Sequence, residues 1–393
     1  MVKMNTKDYF IALLNAYLQG ETAVLAENAD YTLLYKLSHA HNLSAVVFSV
    51  LNTAENKAVV PQDAFRLFEN DFFAAVMRYD RQGAALDALD GLLSENGIRH
   101  VFFKGAILRD CYPIPQTRVM GDIDVLIDEK DRDTVKVLLT ENGYSLLHDN
   151  GPVYDYSLDG VKIEMHTKII SGKVGSSDAE NGFADAMEHA VYDGCRGTLE
   201  SDYHFAYLLA HLAHHFWFYG AGVKLLLDLA VFQKTQAVSE AQVLAKLKEI
   251  GLEQFAKVML TLCRRWFGIG TDYGCDTEKT AQFLINYGAF GNANRNNAAV
   301  IARKQLEEGN SVSSLPSRWR LLFPSYQTVK SIPYIRFIEG RPYLLPLAWV
   351  YRLGYNLRHR REFVKATARG LGSDETKSDA QKELAYFEEI GLL

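Results

Sequence analysis

The chain has 393 residues, 48% hydrophobic and 23% charged, an ordinary globular composition with room for two or three domains. Its formal net charge of −6 argues against a general nucleic-acid binder, though it leaves room for a local basic groove. No signal peptide is evident behind Lys3, Lys7 and Asp8, no apolar run reaches bilayer length, and Cys111, Cys195, Cys263 and Cys275 form no C-x-x-C pair. These features predict a cytoplasmic protein with reduced thiols and no transmembrane segment.

Residues 1–97 read as a helical region. Thr6 is placed to cap a helix through Leu18, with Phe10, Leu13, Leu14 and Tyr17 on one face and Gly20 as the stop. Asp30 is placed to cap the next helix, and a third spans Leu43 to Leu51. A long amphipathic helix runs from Asp63 to Asn96 and ends at Gly97. His39 and His41 read as surface or packed residues, and the aromatic stripe of the long helix reads as core.

Residues 98–170 read as a small α+β palm in the order β-α-β-α-β-β-β, with a mixed or antiparallel sheet. Val101–Phe103 is an apolar strand ending at Lys104 and Gly105, followed by a short helix to Cys111. Asp122 to Ile127 is a buried strand with two acids set into it. A helix follows from Asp131 to Glu141, then a strand from Tyr144. Tyr154–Leu158 and Val161–His166 pair across the two-residue hairpin signal Asp159-Gly160. This order disfavours a doubly wound nucleotide fold, and no P-loop pattern is present.

Residues 171–393 read as mostly helical. Ser171–Glu200 is expected to be a loop with one short helix, followed by a helix from Asp202 to Phe218. Further helices cover Ser239–Gly268, Thr277–Tyr287, Ala299–Glu308 and Leu344–Arg369. A linker from Gly370 to Ser378 leads to a terminal helix, Ala380–Ile390. The Leu344–Arg369 helix carries Arg352, Arg358, Arg360, Arg361, Lys365 and Arg369. It reads as a solvated face or as a surface for an acidic partner.

The chemistry concentrates in the Asp122 strand. Side chains alternate along a strand, so Asp122 and Asp124 share a face roughly 7 Å apart. Two such carboxylates repel unless a cation lies between them, and a hard divalent ion such as Mg²⁺ suits oxygen ligands. A turn cap and a solvated strand face would also explain a bare D-x-D. The context favours the metal: Gly105 and the helix after it can hold an anion, and Glu164 lies on the polar face of a nearby strand with Lys162 and His166. Three carboxylates on adjacent strands suit two-metal phosphoryl or nucleotidyl displacement.

The run K-G-A-x-L…Y-P-x-P-x-x-R-x-x-G-D-I-D-V-L-I, followed by I-E-M-H, resembles the uncharacterised bacterial nucleotidyltransferase family of the DNA polymerase beta-like superfamily. The resemblance implies Asp122 and Asp124 as metal ligands, Glu164 as the third carboxylate and Gly105 in the phosphate turn. The superfamily's serine after that glycine is Ala106 here, and the gap to Asp122 is long. Lys104 and Arg118 stand where the family supplies positive charge. The family also tends to carry histidines, then a basic residue, then an aspartate, which Lys224 and Asp228 match. Lys224 reads either as a phosphate contact or as an i,i+4 partner of Asp228.

The expected protein is therefore a polymerase beta-like nucleotidyltransferase using an NTP such as ATP and Mg²⁺ or Mn²⁺. Its acceptor is expected to be a small molecule, sugar or peptide rather than nucleic acid. Two alternatives remain open: an inactive nucleotide-binding protein on the same scaffold, and a zinc-dependent hydrolase built on His211, His215 and Asp228.

Overall fold

The structure, a computed structural model, describes residues 2–23, 25–27, 29–53, 57, 59–288, 323–326, 329, 333–338, 340–359 and 374–393. The chain divides into two compact units, Met1–Asn292 with Ile390–Leu393, and Ala293–Glu389.

The first unit opens with β1 (Val2–Lys3), α1 (Thr6–Gln19), β2 (Ala26–Glu27), α2 (Tyr31–Ala40), α3 (Ser44–Leu51) and the 34-residue α4 (Gln62–Glu95). Asn5 rather than Thr6 caps α1, its side chain accepting from the Asp8 amide at 2.9 Å. Asp30 caps α2 as expected. Gly20 ends α1 at φ 70°, the left-handed region a side chain would resist. The α4 stripe is only partly core: Phe68 is buried, whereas Phe73 and Met77 are exposed.

Next come β3 (His100–Phe102), α5 (Gly105–Cys111), β4 (Ile123–Ile127), α6 (Arg132–Glu141), β5 (Ser145–Asn150), β6 (Val153–Leu158) and β7 (Val161–His166). Asp159 and Gly160 take φ of 50° and 75°, as a two-residue hairpin turn requires. Ser171–Glu200 departs from the expected loop. Besides the short α7 (Ala179–Gly182), it forms the hairpin β8 (Ala190–Asp193) and β9 (Arg196–Leu199). The result is a seven-stranded mixed sheet of order β5-β6-β7-β4-β3-β9-β8, with β4 parallel to β7, β9 parallel to β3, and the other pairs antiparallel.

One sheet face packs Ile123, Val125, Ile127, Tyr154, Tyr156, Ile163 and Met165 against Leu86, Leu89 and Leu93 of α4 and Val135 and Leu139 of α6. Strand alternation turns Asp124, Glu164 and His166 to the other face. There α8 (Ser201–Phe218) covers the sheet, with the Tyr207 ring 5.6 Å from that of Phe103. Behind it lie α9 (Val223–Thr235), α10 (Glu240–Glu249), α11 (Glu253–Phe267) and α12 (Glu278–Asn286).

In the second unit, α13 (Leu345–His359) contributes Ala348 to a small core with Val329, Ile335 and Ile338. The helix α14 (Asp374–Glu389) starts inside the segment expected to be a linker. The expected helix Ala299–Glu308, and Arg360, Arg361, Lys365 and Arg369 of the basic helix, lie outside the described residues. No helix among the described residues is long and apolar enough to cross a membrane.

Candidate active site

The parallel register of β4 and β7 sets Asp124 directly beside Glu164. Asp122 sits one residue ahead of β4 and is half-buried. His166, two residues beyond Glu164 on the same face, places Nε2 3.0 Å from Asp124 Oδ1 and 3.5 Å from Glu164 Oε2. The three acids open into a cavity of about 420 Å³, also lined by Lys104, Gly105, Arg118, His211, His215 and Lys224. That volume lies within the range of small-molecule sites.

Two lysines partly neutralise the acids. Lys104 Nζ donates to Asp124 Oδ1 at 2.7 Å, and Lys162 reaches Glu164, with Asp155 at 3.3 Å and Asp122 at 3.9 Å. Lys104 holds an uncommon backbone conformation, φ 48° and ψ −120°, in which its carbonyl accepts from the Leu108 amide at 2.8 Å and starts α5. A non-glycine residue there stores roughly 1–3 kcal/mol of strain, a cost that tends to collect at functional sites.

The carboxyls differ because their surroundings differ. Burial, with the charges of Asp124 and Glu164, pushes Asp122 up to about 7. Burial acts the same way on Asp124, but the Lys104 ammonium and the His166 hydrogen bond bring it below the usual carboxylate range. Burial also raises Glu164, but hydrogen bonds from His166 and Lys162 outweigh it and hold the carboxyl down. For His166, burial favours the neutral ring, yet the bonds to Asp124 and Glu164 carry its pKa upward on balance.

On the cavity's other wall, Arg118 grips Asp228 with two parallel bonds, Nε to Oδ1 at 2.8 Å and Nη2 to Oδ2 at 2.9 Å, and Tyr112 Oη donates to Oδ1 at 2.7 Å. Lys224 donates to the Val119 carbonyl at 2.6 Å. Asp228, the i,i+4 partner in one of the two readings of Lys224, is thus taken by Arg118, far earlier in the chain. Burial and the nearby Arg118 charge lower Lys224 to about 8. Burial keeps His215 near 4 and His211 well below its ordinary value, so both rings are neutral at pH 7.

Gly105 is needed for close approach: a Cβ there would stand 2.6 Å from the Met120 side chain and 3.1 Å from the Arg118 guanidinium. Ala106 alone among the expected site residues does not line the cavity. Its methyl packs into the sheet core with Met120 and Ile123. The zinc alternative meets an Asp228 already committed to Arg118 and Tyr112. Among the described residues, the group with metal-ligand spacing is Asp124, Glu164 and His166.

A family model described as "Uncharacterised nucleotidyltransferase" matches residues 27–268. The chain belongs to this family. The match spans α2 through α11, so it takes in the whole seven-stranded sheet and every cavity residue named above. No curated protein matches the chain.

Neither a role for His166 nor the counter-charge of Lys162 was expected from the sequence. Both were legible in part. Lys162, Glu164 and His166 stand at i, i+2 and i+4 of one strand and so share a face. What the strand pattern could not give was Lys104 reaching across to Asp124, or Arg118 to Asp228.

Proposed function

We propose that this protein transfers a nucleoside monophosphate group from an NTP to an acceptor hydroxyl or phosphate. The observation that carries the reading is the register of Asp124 against Glu164 at the wall of the cavity, with Asp122 two residues away. The donor set is hard and anionic, and the ammonium already lying on Asp124 is evidence that the place favours a cation. Asp122, Asp124 and Glu164 would hold Mg²⁺ or Mn²⁺, which when bound neutralises the triphosphate and acidifies the attacking hydroxyl.

The chain's own contribution is positioning and charge. The acceptor oxygen attacks the α-phosphorus, a hydroxyl acceptor giving its proton to solvent, the bond to the α–β bridging oxygen breaks, and pyrophosphate leaves. Glu164 faces the attacking side. Lys104 exchanges its carboxylate for a phosphate oxygen once the acids are otherwise engaged, and Lys224 supplies a second cation. Arg118 holds the wall through Asp228. The neutral His211 and His215, with Leu208 and Tyr219, give the cavity an uncharged stretch of lining, suited to a polar, uncharged part of the substrates.

A thermal-shift panel of ATP, GTP, CTP and UTP with and without Mg²⁺ tests this reading. Binding at a hundredfold excess over Kd stabilises the folded state by about 2.7 kcal/mol. The expected result is a Mg²⁺-dependent rise in midpoint for at least one nucleotide, absent from the Asp122→Ala/Asp124→Ala variant. An equal rise in that variant would place the nucleotide elsewhere. Binding without pyrophosphate release under any acceptor tried would favour the inactive-scaffold alternative.

Proton competition gives a second test. Asp122 rests near 7 because its charged form is disfavoured, and a metal ligand must be deprotonated. Mn²⁺ affinity is therefore expected to climb up to about tenfold per pH unit below 7 and to level off above it. Mn²⁺ titrations followed by electron paramagnetic resonance between about pH 6 and 8 would show the break. A flat profile would remove Asp122 from the cation site.

A further inference from the structure

We propose that His166 is a direct nitrogen ligand in the cation site, completing a three-residue set with Asp124 and Glu164, and that the site therefore prefers Mn²⁺ or a later transition ion over Mg²⁺. The inference rests on the nucleotidyltransferase reading of the acids and adds to it a ligand and a metal class.

Three observations support it. The first is spacing. Ligand atoms in neighbouring positions around an ion at about 2.1 Å lie roughly 3.0–3.4 Å apart. His166 Nε2 stands 3.0 Å from Asp124 Oδ1 and 3.5 Å from Glu164 Oε2, and all three ligand atoms fall within 4.8 Å of one another. The two distances from His166 are close to the edges of such a coordination sphere. Asp122 stands apart from these three atoms, on the more open side, from which it would join them as a further ligand.

The second is the resident cation. The Lys104 ammonium sits 2.7 Å from the same Asp124 oxygen that His166 approaches, so this oxygen already attracts positive charge. The third is how the imidazole is held. His166 is buried, its ring edge-on to Phe103 at 5.1 Å, so Nε2 faces the two carboxylates without rearrangement. Imidazole binds Mn²⁺, Co²⁺ and Zn²⁺ in preference to Mg²⁺, which is best served by oxygen.

The rival role for His166 is a donor that orients Asp124 by hydrogen bond. In that case Nε2 keeps its proton and faces no ion. Electron spin-echo envelope modulation on the full chain loaded with Mn²⁺ alone, prepared with ¹⁵N-histidine, separates the two. The expected result is a directly bound imidazole nitrogen in wild type, lost in His166→Gln and retained in His211→Gln and His215→Gln. Mn²⁺ affinity is expected to fall by about 10–100-fold in His166→Gln, and Mg²⁺ affinity by much less.

Should His166→Gln fail to fold, retention of the nitrogen signal in both His211→Gln and His215→Gln, the other cavity histidines, would still point to His166, and its loss in either would overturn the proposal. Mn²⁺ bound in an oxygen-only shell, and lost in Asp124→Ala, would overturn His166 as a ligand while the nucleotidyltransferase reading stands. A nitrogen signal that survived His166→Gln and vanished in His211→Gln would also overturn it. No Mn²⁺ binding at all in wild type would overturn both.

Discussion

Asp124→Asn is expected to lower nucleotidyl transfer on the order of 10³-fold, the loss typical when a group that organises transition-state charge is neutralised. The same change acts on the fold. Lys104 and Asp124 are 18% and 4% exposed and 2.7 Å apart, so the substitution strands a largely buried ammonium. Breaking a buried pair from one side costs about 3–5 kcal/mol, with asparagine's remaining acceptor favouring the low end. The two effects part in a cycle. Lys104→Met/Asp124→Asn is expected to recover much of the stability, because neither charge is then buried alone, and none of the activity. Denaturant midpoints and turnover on the four proteins give both numbers. Near-normal turnover by a folded Asp124→Asn protein would sink the catalytic assignment.

How far the sequence carries depends on which forces set each feature. The β4 and β7 strands follow from period-two alternation, and Asp159-Gly160 dictates the β6–β7 hairpin locally. The juxtaposition of Asp124 and Glu164 on one face is therefore readable from the residue pattern, whereas Asp122 falls one residue ahead of the strand. The β8–β9 hairpin is not, because neither strand has a clean apolar side. Val191 is exposed, and the pair lies at the sheet's edge. The usable signal is Gly194, at φ 61° ahead of Cys195, a glycine-first turn. Ala106 shows the opposite limit. Its place in the motif suggests a phosphate contact with a missing hydroxyl, but helix geometry turns its methyl into the core. The ion pairs are the least legible. A charged side chain at i,i+4 is one choice among many within reach, and Asp228 takes Arg118 and Tyr112 instead of Lys224.

Arg118→Ala is expected to be the most destabilising single change in the cavity wall. Arg118 and Asp228 are both buried and joined by two parallel bonds, and Arg118 also approaches the Gly105 carbonyl at 3.4 Å. Truncation leaves Asp228 with the Tyr112 hydroxyl as its hydrogen-bond partner and the Lys224 charge nearby but not bonded to it, and breaking a buried pair from one side costs about 3–5 kcal/mol. Lysine is a poor substitute, because it cannot make the paired contact, so Arg118→Lys is expected to recover less than half of the loss. Equilibrium denaturation would record the fall in midpoint at unchanged slope. The opposite pattern, normal stability with weakened NTP binding, would mean that the guanidinium turns from Asp228 to the triphosphate, the role the motif alone suggests. The measurement thus decides between a residue that builds the wall and one that touches the substrate.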